Sequence, residues 1–330
     1  MIWHSRQATL TSDLLELSRF HERTRHWENW RVHITVNGAR LYFDVDGPGL
    51  VADGPLMRAK PALILLHGGP GADHSMFKPA FSALNDVAQV IYLDHRGNGR
   101  SMGSSSDTWH LAQWGDDVKA FCDALGIEKP LVCGVSFGGF VAQSYAVRHP
   151  EHPSKLILES TAARTDLDAI FAAFERLGGQ VARKAAEAFW LGPTLENTAT
   201  YRQVCYPLYH RHPVDADQLQ RRISNLDVLY HFIRPGQEQS RMDFRANLQR
   251  ILCPVLVLAG EEDPITPIAF SETIAECLPN HLVRFERFPS CGHHVHVDDP
   301  HRAFNVIREF IVGSMSGDSE RHSSLHNTPR

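Results

Sequence analysis

Residues 134–140 read GVSFGGF and place Ser136 between two glycines, each two positions away. The stretch follows the apolar run LVC (131–133) and precedes FVAQSYAVRHP (140–150), which has helical character. A G-x-S-x-G pattern between a strand and a helix holds a serine on a sharp turn with its oxygen exposed. A plain structural bend would use the same small residues, so the interpretation depends on what the rest of the chain supplies.

Short aliphatic runs alternate with amphipathic segments on both sides of this stretch. Near-continuous aliphatic strands separated by helices indicate a mostly parallel sheet with helices on both faces, an α/β fold. Asn37-Gly38 predicts a hairpin turn between the first two strands, and 47–55 is predicted to be a loop. The predicted strands are 32–36, 39–46, 62–66, 89–94, 131–135, 155–160, 254–260 and 281–288, and the predicted helices are the late seventies to Leu84, 114–126, 140–150, 271–278 and 301–312.

The alternation breaks after the sixth core strand. The next segment is helical in character and rich in aromatic and charged side chains, which predicts a helical cap inserted into the core. At the N-terminus, Asp13 and Glu16 have the spacing of a capping box, which predicts a helix there. The predicted division is a helical extension 1–30, a core 31–160 and 246–313, a cap 161–245 and a disordered tail 314–330.

Composition limits the class of protein. The chain has 330 residues, 43% hydrophobic and 22% charged, with a formal net charge of −5, which is the balance of a globular protein with a substantial core. No sustained basic run is present, so we expect no nucleic-acid partner. No apolar stretch approaches the length that spans a bilayer, and no secretory signal is evident, so we expect a cytoplasmic protein without a membrane partner.

Cysteine and histidine usage bears on redox state and metal binding. The six cysteines are scattered without a C-x-x-C pair, so we expect reduced residues in or near the core, not a disulfide framework or a zinc site. The 20 histidines include the dense group His293, His294 and His296, but no H-E-x-x-H pattern accompanies them. We therefore expect neither a metal nor an organic cofactor.

A serine nucleophile also needs backbone donors for the oxyanion that forms when it attacks a carbonyl. The amide of Phe137 follows the serine at the start of the predicted helix. The sequence HGGPG (67–71) directly follows the strand 62–66, and its glycines let the backbone approach a ligand closely. Gly69 is the candidate for the second donor. A Gly/Pro-rich turn without function is the alternative, and His67 is expected to be structural.

The acid and the base of a triad are sought after later strands. Asp263 follows the strand 254–260, where a carboxylate can orient a histidine; Glu261 and Glu262 are rivals. His293 follows a glycine in the loop after the last strand, and His294 is its rival. We favour Asp263 and His293. The order serine, aspartate, histidine along the chain is that of the α/β-hydrolase fold.

These segments together resemble a known family. HGGPG, DHRGNGRS (94–101), GVSFGG, GEEDPITP and CGHH resemble the α/β-hydrolase superfamily, and most closely its proline iminopeptidase branch, the S33-type serine peptidases, also called prolyl aminopeptidases. The resemblance covers about 32–312 and implies the α/β-hydrolase fold with a cap after the sixth core strand. It also implies a catalytic triad of Ser136, Asp263 and His293 and oxyanion donors at Gly69 and Phe137.

The resemblance is less specific about the substrate. Peptidases of that branch bind the free amine of the substrate with acidic cap residues, and Asp227 and Glu238 are the candidates; solvated surface charges are the alternative. Many members carry tryptophan where this chain has Phe137, and relatives with HGGPG cleave esters, lactones or amides. The segment DHRGNGRS is expected to be a rigid brace held by Asp94 and Arg96.

The sequence therefore predicts a serine hydrolase that forms an acyl-enzyme with a small-molecule or short-peptide substrate. The first hypothesis is an aminopeptidase that releases N-terminal proline or another small residue. The alternative is an esterase, lactonase or amidase of the same fold that acts on a small acyl compound. Aromatic residues of the cap either line the acyl pocket or form the core of the cap itself: Phe174, Phe189, Trp190, Tyr206 and Tyr209.

Overall fold

A computed structural model describes residues 32–214 and 216–313. The predicted helical extension, 1–30, and the predicted disordered tail, 314–330, lie outside the described residues. Within the described ranges, no helix is both long and apolar enough to cross a bilayer.

The centre of the fold is an eight-stranded sheet with the order β1-β2-β6-β5-β7-β8-β9-β10. Strand β2 pairs antiparallel with β6, and all pairs from β6 to β10 are parallel. The strands are β1 His33–Val36, β2 Ala39–Asp46, β3 Leu50–Asp53, β4 Leu56–Ala59, β5 Ala62–Leu66, β6 Gln89–Leu93, β7 Leu131–Val135, β8 Lys155–Glu159, β9 Val255–Gly260 and β10 Val283–Phe288. The predicted mostly parallel sheet, with its N-terminal hairpin, is confirmed.

Helices cover both faces of the sheet. They are α1 Leu111–Ala124, α2 Phe137–Arg148, α3 Leu167–Leu191, α4 Leu195–Val204, α5 Ala216–Arg221, α6 Leu226–Ile233, α7 Glu238–Arg241, α8 Ile268–Cys277, α9 Val295–Asp298 and α10 Pro300–Val312. Helices α3 to α7 follow strand β8, the sixth strand of the main sheet along the chain, and precede β9. They form the helical cap.

Two apolar clusters lie against the two faces because neighbouring strand residues point in opposite directions. In β5, Leu63 and Leu65 belong to one cluster, whereas Ile64 and Leu66 belong to the other. The central strands are buried on both faces, which explains why they appear in the sequence as continuous aliphatic runs.

Three local features differ from or refine the expectation. The turn residues Asn37 and Gly38 both have positive φ, 47° and 76°, as a type I′ hairpin turn requires. The predicted loop at 47–55 contains β3, which pairs with β4 in a separate two-stranded hairpin. The segment predicted as a helix ending at Leu84 forms short 3₁₀ turns at His74–Phe77 and Ala80–Leu84.

The cap has a packed interior of its own. Tyr201 of α4 is fully buried; its ring stacks on Phe189 with centroids 4.2 Å apart and meets Phe174 edge-on at 5.8 Å. At Gly179, φ of 69° and ψ of −169° are not helical, so α3 consists of two helical segments that meet at a kink.

Candidate active site

The candidate site lies where the order of strands reverses. From β5 the chain moves to β6 on one side and returns to β7 on the other, which leaves a crevice at the carboxyl ends of β5 and β7. The HGGPG loop follows β5 and Ser136 follows β7, so the two motifs meet there. A Cβ on Gly68 would lie 3.2 Å from the Cβ of Ser136.

Ser136 occupies a strained turn between β7 and α2. Its φ is 54° and its ψ is −116°, a conformation that non-glycine residues rarely adopt and that surrounding contacts must enforce. Its amide donates to the Glu159 carbonyl at 2.9 Å, and its carbonyl accepts from Thr161 Oγ1 at 2.8 Å. Gly138 is required because a Cβ there would lie 1.9 Å from the Leu66 carbonyl oxygen.

A continuous chain of hydrogen bonds links the serine, a histidine and an aspartate. His293 Nε2 lies 2.9 Å from Ser136 Oγ, and His293 Nδ1 lies 2.8 Å from Asp263 Oδ2. All three residues are buried, with Asp263 at 0% exposure and Ser136 at 9%. The loops that follow β7, β9 and β10 therefore bring these residues together from three distant parts of the sequence.

Asp263 is held as a carboxylate. Its Oδ1 accepts from the amides of Ile265 and Thr266 at 2.7 and 2.9 Å, and its Oδ2 accepts from the Thr266 hydroxyl. Burial by itself would raise the pKa of Asp263, but the charge and hydrogen bond of His293 and the Thr266 donors outweigh it and lower that pKa. An ionised acceptor at Nδ1 leaves Nε2 of a neutral His293 free to accept from the serine hydroxyl.

The rival histidine, His294, points elsewhere. Its Nδ1 lies 3.3 Å from His210 Nε2, and the two rings stack with centroids 5.0 Å apart. Burial, followed by the charges of His293 and His210, holds the pKa of His294 well below its usual value. His294 is therefore a neutral residue of the cavity wall.

The two candidate oxyanion donors have free amides. Neither the amide of Gly69 nor that of Phe137 donates a hydrogen bond to another residue within the described ranges. Gly69 has φ 65°, which favours glycine, and Phe137 begins helix α2, whose dipole favours negative charge at this end. Both amides are thus available to a ligand beside Ser136.

The segment DHRGNGRS braces the HGGPG loop from below. Asp94 Oδ1 accepts from the amide and the ring of His74, at 2.9 and 2.7 Å, and its Oδ2 accepts from the Arg100 amide at 2.8 Å. Arg96 forms a bidentate pair with Asp117, at 2.7 and 2.8 Å. The charged side chains of this segment, Asp94, Arg96 and Arg100, all have partners of opposite charge. The segment therefore holds the HGGPG loop in place.

Asp298 joins the cap to the loop that carries His293. Its carboxylate accepts from the amide of Gly292 at 2.7 Å and from the amide of Arg211 at 3.0 and 3.1 Å. Beside it, the His293 amide donates to the carbonyl of Tyr209 at 2.7 Å. The position of the base therefore depends on contacts with the cap.

A cavity of about 160 Å³ opens on Ser136 between the core and the cap. Its cap side carries four of the five predicted aromatic residues, Phe189, Trp190, Tyr206 and Tyr209, together with Tyr201. Phe174 does not line it. A smaller apolar cavity of about 40 Å³ lies against Ser136 and Phe137 and has no charged residue in its lining.

A model of the alpha/beta hydrolase fold matches residues 61–300. The chain belongs to the alpha/beta hydrolase family. The match spans both pieces of the core and the cap between them, and it includes Ser136, Asp263 and His293. The chain is therefore a hydrolase by family, with the fold that the sequence predicts.

Relatives of this hydrolase carry different reaction names. "Putative carbamate hydrolase RutD" of Caulobacter sp. (strain K31) is 28% identical over 286 residues, 84% of this chain and 97% of its own. "Proline iminopeptidase PfmaB" of Pestalotiopsis fici is 29% identical over 289 residues, 84% and 98% of the two chains. "3-oxoadipate enol-lactonase 2" of Acinetobacter baylyi is 28% identical over 254 residues, 77% and 89%. The substrate has to be argued from the cavity of this hydrolase itself.

The two acidic cap residues predicted to bind a substrate amine do not line either cavity. Asp227 lies exposed in the first turn of α6, and Glu238 lies at the start of α7 and faces the Leu111 amide at 3.5 Å. Their positions do not support an amine-binding role. Among the described cap residues that line the larger cavity, the charged one is Arg222, and no sequence pattern indicates it because only the folded cap brings it to the cavity.

Other titratable groups near the site serve the fold of this hydrolase. His296 lines the larger cavity, and its Nδ1 lies 2.6 Å from the buried carboxylate of Glu159. All six cysteines are free thiols, and five of them are buried. In the described part of the chain, no three histidine, cysteine, aspartate or glutamate residues are grouped so that they could hold a metal ion.

Proposed function

We propose that this chain is a serine hydrolase that cleaves small esters, lactones or amides through an acyl-enzyme. The observation that carries the proposal is the hydrogen-bonded chain from Ser136 through His293 to Asp263, which borders a cavity beside two free amides. Serine, base, orienting acid and oxyanion donors are the parts that acyl transfer needs.

In the proposed first step, Ser136 Oγ attacks the carbonyl carbon of the substrate while His293 Nε2 takes its proton. The carbonyl oxygen becomes an oxyanion that accepts from the amides of Gly69 and Phe137. Collapse of this intermediate breaks the bond to the leaving group, which receives the proton from His293. Asp263 holds the ring in the productive tautomer and stabilises the imidazolium.

In the second step, His293 takes a proton from water, and the resulting hydroxide attacks the acyl carbon. The same two amides stabilise the second oxyanion. Proton return from His293 to Ser136 Oγ then releases the carboxylic acid. Every proton moves between groups of this chain, the substrate and water.

The cavity supports a small acyl compound over a peptide. Its volume of about 160 Å³ is below the range of about 300 to 1,000 Å³ common for ligand pockets. Among its described lining residues the one carboxylate is Asp73, which accepts from Arg100 at 2.7 Å and from Ser75 at 2.6 Å. A substrate amine would find no unmatched negative charge there.

Release of an N-terminal proline is the second candidate. The HGGPG motif and the relative named as a proline iminopeptidase favour it. It requires an anionic partner for the substrate amine, and the position of Arg222 at the cavity opposes it. We therefore rank it second.

Labelling and hydrolysis assays test the proposal. A fluorophosphonate probe is expected to label wild-type protein at Ser136, and Ser136→Ala is expected to lower kcat by on the order of 10⁶. Ser106→Ala, at an exposed serine, is the matched control and keeps full activity. Near-normal turnover by Ser136→Ala on every substrate that the wild type hydrolyses would refute the mechanism.

Three substrates separate the two candidates: 4-nitrophenyl acetate, a homoserine lactone and proline β-naphthylamide. We expect hydrolysis of the ester or the lactone and little of the prolyl amide. Activity confined to the prolyl amide would overturn the first candidate in favour of the second.

A further inference from the structure

Arg222 lies at the cap side of the cavity, directly after helix α5. Its Nη2 lies 3.4 Å from where a Cβ on Gly69 would be, and its guanidinium faces the Tyr206 ring with its Cζ 5.9 Å from the ring centroid. The charge of Arg222 also contributes to the lowered pKa of His294 on the far side of the cavity. The guanidinium therefore lies next to the oxyanion loop, in the lining of the cavity that also contains Ser136.

Arg222 has a cation–π contact with the ring of Tyr206, but no carboxylate or other hydrogen-bond acceptor among the described residues holds its guanidinium. Within the described ranges it donates no hydrogen bond and forms no ion pair, and its Nε is buried without a partner. Other arginines around the site are matched: Arg96 by Asp117, Arg100 by Asp73 and Arg211 by Glu262. A buried donor without an acceptor is unfavourable, so this arginine is suited to an acceptor that comes from outside the chain.

The cavity offers Arg222 no anion of its own. Asp73, the one carboxylate in its described lining, already accepts from Arg100, from Ser75 and from the amide of Ile223. The histidine that faces Arg222 across the cavity, His294, is neutral because its pKa is lowered. The described lining of the smaller cavity beside Ser136 contains no charged residue. Among the described lining residues of the two cavities, the guanidinium of Arg222 is thus left without an anionic partner.

We propose that Arg222 binds a carboxylate of the substrate, which makes this protein selective for small esters, lactones or amides that carry a free carboxylate a few bonds from the scissile carbonyl. The guanidinium matches a carboxylate with two parallel hydrogen bonds, a geometry that no other side chain offers. In the proposed mechanism the oxyanion accepts a hydrogen bond from the Gly69 amide, and Arg222 lies beside Gly69. The carboxylate and the reacting carbonyl of the substrate are therefore bound next to each other. This inference rests on the proposed function of Ser136.

The test compares a charged ester with a neutral ester of the same shape. Methyl hydrogen succinate carries a carboxylate where methyl levulinate carries an acetyl group, and both release methanol. We expect the wild type to favour the succinate ester in kcat/KM. Arg222→Met is expected to lower the ratio of the two kcat/KM values by about 10- to 100-fold, the loss typical of a hydrogen-bonded charge pair, and Arg222→Lys by less.

A neighbouring arginine supplies the control for net charge. Arg221 is exposed and outside the cavity, so Arg221→Met makes the same change in charge and is expected to keep the wild-type ratio. Acetoxyacetate carries its carboxylate on the alcohol side of the ester. Its hydrolysis shows whether Arg222 binds a carboxylate on the acyl side or on the alcohol side of the scissile bond. Preference for either charged ester supports the inference.

Two failures are distinguishable. If Ser136 is labelled and hydrolyses neutral esters, but the wild type prefers no charged ester or Arg222→Met leaves the ratio unchanged, the inference about Arg222 is overturned and the serine hydrolase stands. If Ser136→Ala retains activity, the proposed function fails and the inference fails with it. An equal loss on both esters in Arg222→Met would mean that the arginine supports the oxyanion or the fold, and would also overturn the inference.

Discussion

The two walls of the cavity differ in how their side chains are held. The core wall consists of the loops after β5, β7, β9 and β10, and the cap wall consists of the residues of α3 to α6 and their connections. On the core wall the reacting groups have fixed partners: Ser136 with His293, and His293 with Asp263, at 2.9 and 2.8 Å. The cap wall includes several aromatic rings and the guanidinium of Arg222, which has no hydrogen-bond acceptor among the described residues.

This difference indicates that the core wall carries out the reaction and that the cap wall selects the substrate. A transition state must be met by groups already in position, so the core wall is held by hydrogen bonds that cross between loops. Substrate choice needs only shape and one or two polar groups, so the cap wall can differ while the reaction stays the same. Three relatives with similar identity to this chain and three different reaction names are consistent with that division.

The largest expected effect is a fall in kcat on substitution in the core wall. Asp263→Asn keeps the size of the side chain but removes the charge that fixes the His293 tautomer, so we expect kcat to fall by about 10⁴-fold. Steady-state kinetics on any accepted ester gives the value, and circular dichroism checks the fold. Tyr209→Phe, on the cap wall, is the matched comparison, and an equal fall in kcat there would contradict the division between the walls.

The next effect is at the joint between the walls. Asp298→Ala leaves the amides of Gly292, Arg211 and His212 without their acceptor, so we expect a loss of about 2 to 4 kcal/mol in the free energy of unfolding. Urea denaturation measures it. Asp227→Ala, at an exposed aspartate of the cap, serves as the control. An unchanged unfolding free energy for Asp298→Ala would show that the two walls are not coupled there.

The smallest expected effect is a pH dependence of stability at His294, in the core wall beside the base. The folded protein holds the pKa of His294 below its ordinary value, by burial first and then by the charge of His293. Below about pH 6.5, His294 takes up a proton in the unfolded chain but not in the folded protein. The free energy of unfolding therefore decreases as the pH is lowered, by up to about 1.4 kcal/mol per pH unit. His294→Asn removes this loss.

The gain in stability of His294→Asn over the wild type should therefore be larger at pH 5 than at pH 8. Thermal or urea unfolding at both values measures it. His212→Asn is the control, since that side chain is 61% exposed. A difference between His294→Asn and the wild type that does not change with pH would show that His294 protonates freely in the folded protein.

The fold could be predicted because its signals are local. Strands β5 to β9 are mostly aliphatic runs. Strands β1 and β2 flank the turn residues Asn37 and Gly38, and the site motifs follow directly after strands. The β3–β4 hairpin was missed because its residues are mostly exposed and carry no alternation of apolar and polar side chains. The helix predicted up to Leu84 was wrong in type, since Pro79 interrupts the segment and only 3₁₀ turns form.

The substrate side could not be predicted in the same way. Asp227 and Glu238 were chosen for their charge within a segment whose three-dimensional path the sequence does not reveal, and both lie away from the cavity. Arg222 is one of four arginines in this part of the sequence, with Arg211, Arg221 and Arg234. Only the packing of the cap against the core decides which of them lines the cavity.

The hydrogen bond from the His293 amide to the Tyr209 carbonyl, at 2.7 Å, links the size of a substrate to the position of the base. A molecule too large for the cavity displaces the Tyr209 segment and breaks this bond. We therefore expect large substrates to disturb the loop that carries His293, so that they lose kcat as well as affinity.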